Sequence, residues 1–151
     1  KVYVDYLDRQ QELEVMRRMS DINHDYQIKP ILQKEDIFAI RNLVNKVNIS
    51  DTLEKYIIEL VFATRRPLDY GLKEEARYIQ FGVSPRATIY LNRAAKALAC
   101  LEGRDYVLPE DIKELAPDIM NHRIILNYEA EADNIKTSAI IESILRKVAI
   151  G

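Results

Sequence analysis

Tryptophan is missing from this chain of 151 residues, and cysteine occurs once, at Cys100. A single thiol excludes an internal disulfide and fits a reducing compartment, so a cytoplasmic location is expected. Within its apolar helical surroundings Cys100 reads as a buried structural thiol rather than a nucleophile. Histidine occurs only at His24 and His122. The two lack the close spacing of metal ligands, so no metal site is expected. No apolar run approaches the roughly 18 residues of a membrane span, and no signal-peptide pattern is present. Four glycines and five prolines leave little room for long flexible linkers. Neither G-x-x-x-x-G-K-S/T nor G-x-G-x-x-G occurs, so both common phosphate cradles are missing. No Ser–His–Asp or Cys–His set stands out, and no catalytic residue is assigned. Charge of one sign is not in excess: 22 basic and 24 acidic residues leave a net −2. That balance gives no global attraction to nucleic acid or to an anionic membrane.

What is present is a globular composition, 48% hydrophobic and 30% charged. The length suits one domain with a proper core, or two small lobes. Val2 to Tyr6 alternates like a strand, but a lone strand cannot satisfy its own backbone. It pairs with a later extended segment or belongs to a sheet outside this chain. A start inside such a strand, without methionine, suggests a piece of something longer. Six helices follow. Asp8 caps residues 9–19, with Gln11 placed for a capping box. Residues 34–46 follow, with Ile37, Ile40, Val44 and Val47 as the buried face. Ser50 caps 51–65, with Leu53, Ile57, Leu60, Val61 and Thr64 inside. Pro85 to Leu101 carries Ile89, Leu91, Ala94, Ala95, Leu98 and Ala99 on its apolar surface, and Gly103 ends it. Pro109 opens a helix that Pro117 should break or kink. Thr137 caps the last, to about Val148. Between them, residues 66–83 read as the longest irregular section, with Tyr70, Tyr78 and Phe81 as anchors. Glu129, Glu131 and Asp133 read as a solvated acidic loop.

Gly82-Val83-Ser84-Pro85-Arg86-Ala87 is the most informative stretch. Ser84 suits an N-cap and Pro85 suits the first helical position. Arg86 then sits in the first turn, where the helix dipole disfavours a cation. An anion such as phosphate would suit both the free N–H groups and the guanidinium fork. A solvated surface arginine is the alternative that residue chemistry leaves open.

Further motifs follow in order: Leu60-Val61 with Ala63-Thr64-Arg65, Leu91-Asn92-Arg93-Ala94-Ala95-Lys96-Ala97, Leu101-Glu102-Gly103-Arg104-Asp105-Tyr106-Val107, Pro109-Glu110-Asp111-Ile112 and Asn121-His122-Arg123-Ile124. Together they resemble the C-terminal lid domain of MoxR-family AAA+ ATPases, over nearly the whole chain. Leu7 departs from the family's usual proline. Leu108 departs from its usual threonine cap, which should weaken that helix start slightly. The resemblance implies a mainly all-α, lid-type helical bundle over residues 8–151. It makes residues 1–7 the last strand of an ATPase core. It implies that Arg86, in the Ser84-Pro85-Arg86 motif, is similar to the sensor 2 arginine that reaches the γ-phosphate of ATP. Arg65 and Arg93 match family arginines too, though a helix-face ion pair fits each as well as a phosphate contact. Arg123 reads as structural or interfacial. The expected cofactor is ATP, with Mg bound by an upstream AAA+ core domain and no tight binding by this segment alone. The expected partners are that core, further copies in a homo-oligomeric ring, often a hexamer, and von Willebrand A-domain proteins. Neither nucleic acid nor a membrane span is expected. By itself the chain is expected to be non-catalytic within a chaperone-like ATPase. A helical nucleic-acid-binding module using Arg65, Arg66, Lys73 and Arg86, or an adaptor docking through residues 66–83, is the competing reading.

Overall fold

The structure is a computed structural model and describes residues 1, 4–20 and 29–151. Among these residues the protein is mainly helical, with one small two-stranded sheet, the all-α lid-type bundle that the sequence implies. Val2, Tyr3, His24 and most of the 20–33 connector lie outside the described residues. Val4 to Tyr6 are exposed and belong to no strand.

Helix α1 (Arg9–Met19) starts as its capping residues dictate. The Asp8 carboxylate accepts from the N–H groups of Gln10 and Gln11 at 2.9 and 2.8 Å, and Gln11 accepts from the Asp8 N–H at 3.1 Å. The reciprocal bonds satisfy donors that the first turn cannot. None of its residues is buried. Helix α2 (Lys34–Lys46) begins with the Gln33 N–H donating to Asp36 at 2.8 Å. Its expected inner face is corrected: Val47 is buried and Val44 half-buried, but Ile37 and Ile40 are exposed. The bundle meets only the far end of this helix, where a parallel bridge fastens the chain. There the Asn48 N–H donates to Asp105 O at 2.8 Å, and the Val107 N–H donates to Asn48 O at 2.9 Å.

Helix α3 (Asp51–Arg65) is the central element, capped by Ser50 Oγ on the Leu53 N–H. Leu53, Ile57, Leu60, Val61 and Thr64 are all buried, as their spacing requires, together with Tyr56 and Ala63. Each large apolar side chain fully buried there stabilises by about 1.5–3 kcal/mol. Residues 66–83 are more regular than expected. They form a 3-10 turn (Pro67–Tyr70), helix α4 (Lys73–Tyr78) and strand β1 (Ile79–Phe81). Buried Leu72 draws this segment onto the core, and Glu74 and Glu75 suit the first turn of α4. Tyr70 and Tyr78 do anchor it, packing on the core with their hydroxyls on Glu59 and Asp133, whereas Phe81 is exposed.

Helix α5 (Pro85–Leu101) buries Ala87, Leu91, Ala95 and Ala99, one residue per turn. The three alanines let neighbouring helices approach closely. Ile89 is exposed, contrary to expectation, because the buried stripe runs along the other side of the helix. Gly103 ends α5 with φ +72°, in a Schellman turn. Its N–H donates to Cys100 O at 3.1 Å, and the Arg104 N–H donates to Ala99 O at 2.8 Å. Helix α6 (Pro109–Met120) continues across Pro117 without ending there. Ile112, Ala116 and Met120 are fully buried on either side of the proline, so packing holds a helix that lacks one backbone bond. Strand β2 (Ile125–Leu126) pairs antiparallel with β1, Ile79 opposite Leu126.

The expected acidic loop is helix α7 (Tyr128–Ala132), capped by Asn127. Glu129 pairs with Arg77, and Asp133 accepts from Tyr78, so two of its three acids tie the chain to α4. Helix α8 (Thr137–Lys147) buries Ile140, Ile141 and Ile144. Thr137 is its first helical residue and not its cap. Lys136 holds that position, its carbonyl accepting from the Ala139 and Ile140 N–H groups. The core lies among α3, α5, α6 and α8.

Candidate functional site

The start of α5 is fixed to the end of α3 at three points. Gly82 lies so close to Thr64 that an added Cβ would stand 2.5 Å from the Thr64 carbonyl oxygen and 2.7 Å from its carbonyl carbon. Thr64 is fully buried, and its hydroxyl donates to Val61 O at 2.7 Å while accepting from the Val83 N–H at 3.0 Å. Arg65 Nε donates to Val83 O at 2.8 Å, and its guanidinium lies 5.4 Å from the Phe62 ring centre. Sequence reasoning placed Thr64 on the apolar face of α3 and in the Ala63-Thr64-Arg65 motif, but missed this role. The one available signal was a glycine just before a helix start, where no turn required it.

Ser84 precedes α5 in extended conformation, and Pro85 is its first residue, both as expected. The side-chain cap is corrected: the Ser84 hydroxyl makes no capping bond. The first turn tightens instead, and the Ala87 N–H donates to Ser84 O at 2.9 Å. Arg86 is exposed, and its guanidinium makes no hydrogen bond or ion pair with any described residue. A cation is thus presented at the positive end of a 17-residue helix, just after a loop bonded to α3. The residues fit an oxyanion with several oxygens, since the guanidinium fork is a planar donor array with no acceptor of its own.

Arg93 lies two turns along the same exposed face. It borders a groove of about 340 Å³ between α3 and α5, together with Glu54, Ile58, Ile89 and Asn92. A larger cleft of about 490 Å³ opens beside Gly82, lined by Arg65, Arg66, Pro67, Asp69 and Gln80. Arg86 lines neither cleft, so the three arginines Arg65, Arg86 and Arg93 are not gathered into one pocket. Between Arg86 and Arg93 stands Tyr90, half-exposed, with the Arg123 guanidinium 5.1 Å from its ring centre. Arg123 Nε donates to Ile119 O at 2.7 Å, which anchors it to the end of α6.

Just past the far end of α5, Arg104 ties the chain to the start of α6. Arg104 grips Asp111 with two bonds of 2.9 and 2.6 Å and donates to Tyr106 O at 3.0 Å. Asp111 in turn accepts from the Leu108 N–H at 2.7 Å. That bond supports the α6 start that the leucine at the cap position was expected to weaken. Burial pushes the Asp111 carboxyl up, but the Arg104 and Leu108 hydrogen bonds outweigh it and hold the group below its usual range.

Comparison with known proteins agrees with this architecture. The AAA lid domain family matches residues 72–144. The chain is 35% identical to the chaperone MoxR1 of Mycobacterium tuberculosis over 150 residues, covering 99% of this chain and 39% of that protein. It is 45% identical over 82 residues to the MoxR protein of Paracoccus denitrificans, covering 52% of this chain and 24% of that one. A crystal structure of a candidate ATPase from Cytophaga hutchinsonii superposes with a TM-score of 0.90 at 64% identity, over 98% of this chain and 45% of that chain. The chain therefore spans less than half the length of each of these relatives. With an AAA lid bundle and homology to MoxR proteins along its whole length, the chain belongs to the MoxR family of AAA+ proteins, as its lid region.

Proposed function

We propose that this lid closes over ATP bound by an upstream AAA+ core, and that Arg86 is the sensor 2 arginine contacting the γ-phosphate. One observation carries the reading: an unpartnered guanidinium on the first turn of α5, beside a loop fastened to α3 by Gly82, Val83 and Arg65. Held there, Arg86 is electrostatically unfavourable until an anion arrives, and the helix N-terminus favours the same anion. ATP supplies that anion, and hydrolysis removes it. The difference in contacts between the two nucleotide states is what a switch requires. Ser84 and Pro85 set where the arginine leaves the backbone, Arg65 holds the loop that carries it, and Arg93 adds positive charge two turns on.

In this reading residues 1–7 complete the core and residues 8–151 form the lid. Magnesium is bound by the core, not by this chain. The whole protein works in the cytoplasm as a homo-oligomeric, chaperone-like ring beside von Willebrand A-domain partners. The test is Arg86→Ala in the full-length protein. Its turnover of ATP should fall by at least about tenfold, the worth of one hydrogen bond to a charged group. Its melting temperature should not move, because an exposed side chain without partners contributes little stability. Unchanged turnover would sink the assignment.

A further inference from the structure

We propose that Arg123 is a positioning residue for Arg86, acting by occupying the Tyr90 ring. The inference rests on the sensor reading above but makes its own structural prediction. Arg86 and Tyr90 are four residues apart on the exposed face of α5, the spacing at which helix side chains meet. A helical tyrosine leans toward the N-terminus, which brings the Tyr90 ring toward Arg86. Arginine over tyrosine at that spacing is an attractive cation–π pair. Left alone, Arg86 would fold down onto its own helix and be lost to an incoming phosphate.

The ring is already taken. The Arg123 guanidinium lies 5.1 Å from its centre, although Arg123 is 33 residues further along the chain. It is not free to leave, since its Nε is bonded to Ile119 O. A second guanidinium on the same ring would meet the charge of the first. Arg123 makes no ion pair with a described residue that could neutralise it. Arg86 is accordingly found with no partner, the conformation a phosphate needs. Arg77 over Tyr78 and Arg65 over Phe62 show the same pairing elsewhere in the protein.

The competition can be read without any ATPase activity. In NMR spectra of the 151-residue chain, Arg123→Ala should move the Arg86 Hδ and Hε resonances upfield, as the vacated ring takes the guanidinium. The double variant Tyr90→Leu/Arg123→Ala should return them to wild-type positions. Arg86 resonances that do not respond to Arg123→Ala would overturn the proposal. In the full-length protein, Arg123→Ala should raise the KM for ATP about three- to sixfold, the penalty of an exposed cation–π pair competing with the binding-competent state. The kcat should stay within about twofold, because saturating nucleotide repopulates that state. Adding Tyr90→Leu should restore KM, whereas a merely structural Arg123 would leave the double variant as impaired as the single one, and that result refutes the positioning role. If the resonances shift while Arg86→Ala leaves turnover intact, the sensor reading fails and the competition for the ring stands.

Discussion

Gly82→Ala is the most searching test of how the α5 start is held. The added methyl would stand 2.5 Å from the Thr64 carbonyl oxygen, 2.7 Å from its carbonyl carbon and 2.8 Å from Oγ1. Real Cβ atoms essentially never approach within 3.0 Å, so the loop must retreat by at least about 0.5 Å. The obstacle is helix backbone in the last turn of α3, which cannot swing aside as a side-chain tip could. Retreat stretches the 3.0 Å bond from the Val83 N–H to Thr64 Oγ1 and the 2.8 Å bond from Arg65 to Val83 O. Overpacking costs about 1–3 kcal/mol, and a buried N–H left without its partner costs a similar amount. Each relieves the other in part, so the expected loss is about 2–4 kcal/mol. At about 2–4 °C per kcal/mol for a chain of this size, the melting temperature should fall by roughly 5–15 °C. The backbone works in the opposite direction. Gly82 does not have positive φ, and at such a site alanine normally stabilises by about 0.4–1 kcal/mol through the unfolded state. The sign of the change therefore decides the matter. Thermal and urea unfolding of Gly82→Ala should be compared with Gly103→Ala, where φ is +72° and nothing lies within 4 Å of the added Cβ. That control should lose only about 1–2 kcal/mol, the left-handed backbone cost. A Gly82→Ala protein as stable as wild type, or more stable, would refute the close approach.

Tyr56 is fully buried, and its hydroxyl has no hydrogen-bond partner among the described residues. Burial first, and the nearby Glu110 charge second, push its pKa up. Tyr56→Phe should accordingly raise stability by about 1 kcal/mol in urea unfolding, and a loss of that size would reveal a bond that the geometry does not show. Asp111→Asn should cost about 1.5–3 kcal/mol near neutral pH, because it weakens a buried charge-assisted pair. The Asp111 carboxyl titrates lower folded than unfolded, so its contribution is fully present above about pH 4 and lost as pH falls through the folded value. The stability gap between Asp111→Asn and wild type should thus narrow at low pH. A gap that stays constant down to about pH 2 would refute the pairing.

Much of the helical framework was legible because its signals are local. Asp8 with Gln11, Ser50 before a regular apolar stripe, and Pro85 with Gly103 each act within a few residues of the boundary they set. The buried face of α3 followed from spacing alone. The same local rules expected a hydroxyl bond at the Ser84 cap that a tightened first turn replaces, and they put the α8 cap at Thr137, one residue past Lys136. They also read residues 66–83 as irregular, because a three-residue strand is stable only once β2 supplies its partner from about 45 residues away.

By itself, the sequence determined where most helices begin and end, and it placed Arg86 in the first turn of one of them. Tertiary structure alone decided what that arginine can do. The loop before it is held by bonds between residues 18 and 19 apart, Arg65 to Val83 and Val83 to Thr64. The aromatic ring one turn beyond it is occupied by a guanidinium from the end of α6. The exposed faces of α1 and α2 likewise reflect which neighbours the bundle offers and not their periodicity. Local spacing encodes hydrogen bonds that close within a helical turn. Which side chain meets which across the bundle depends on how the helices pack, and no repeat in the sequence carries that information.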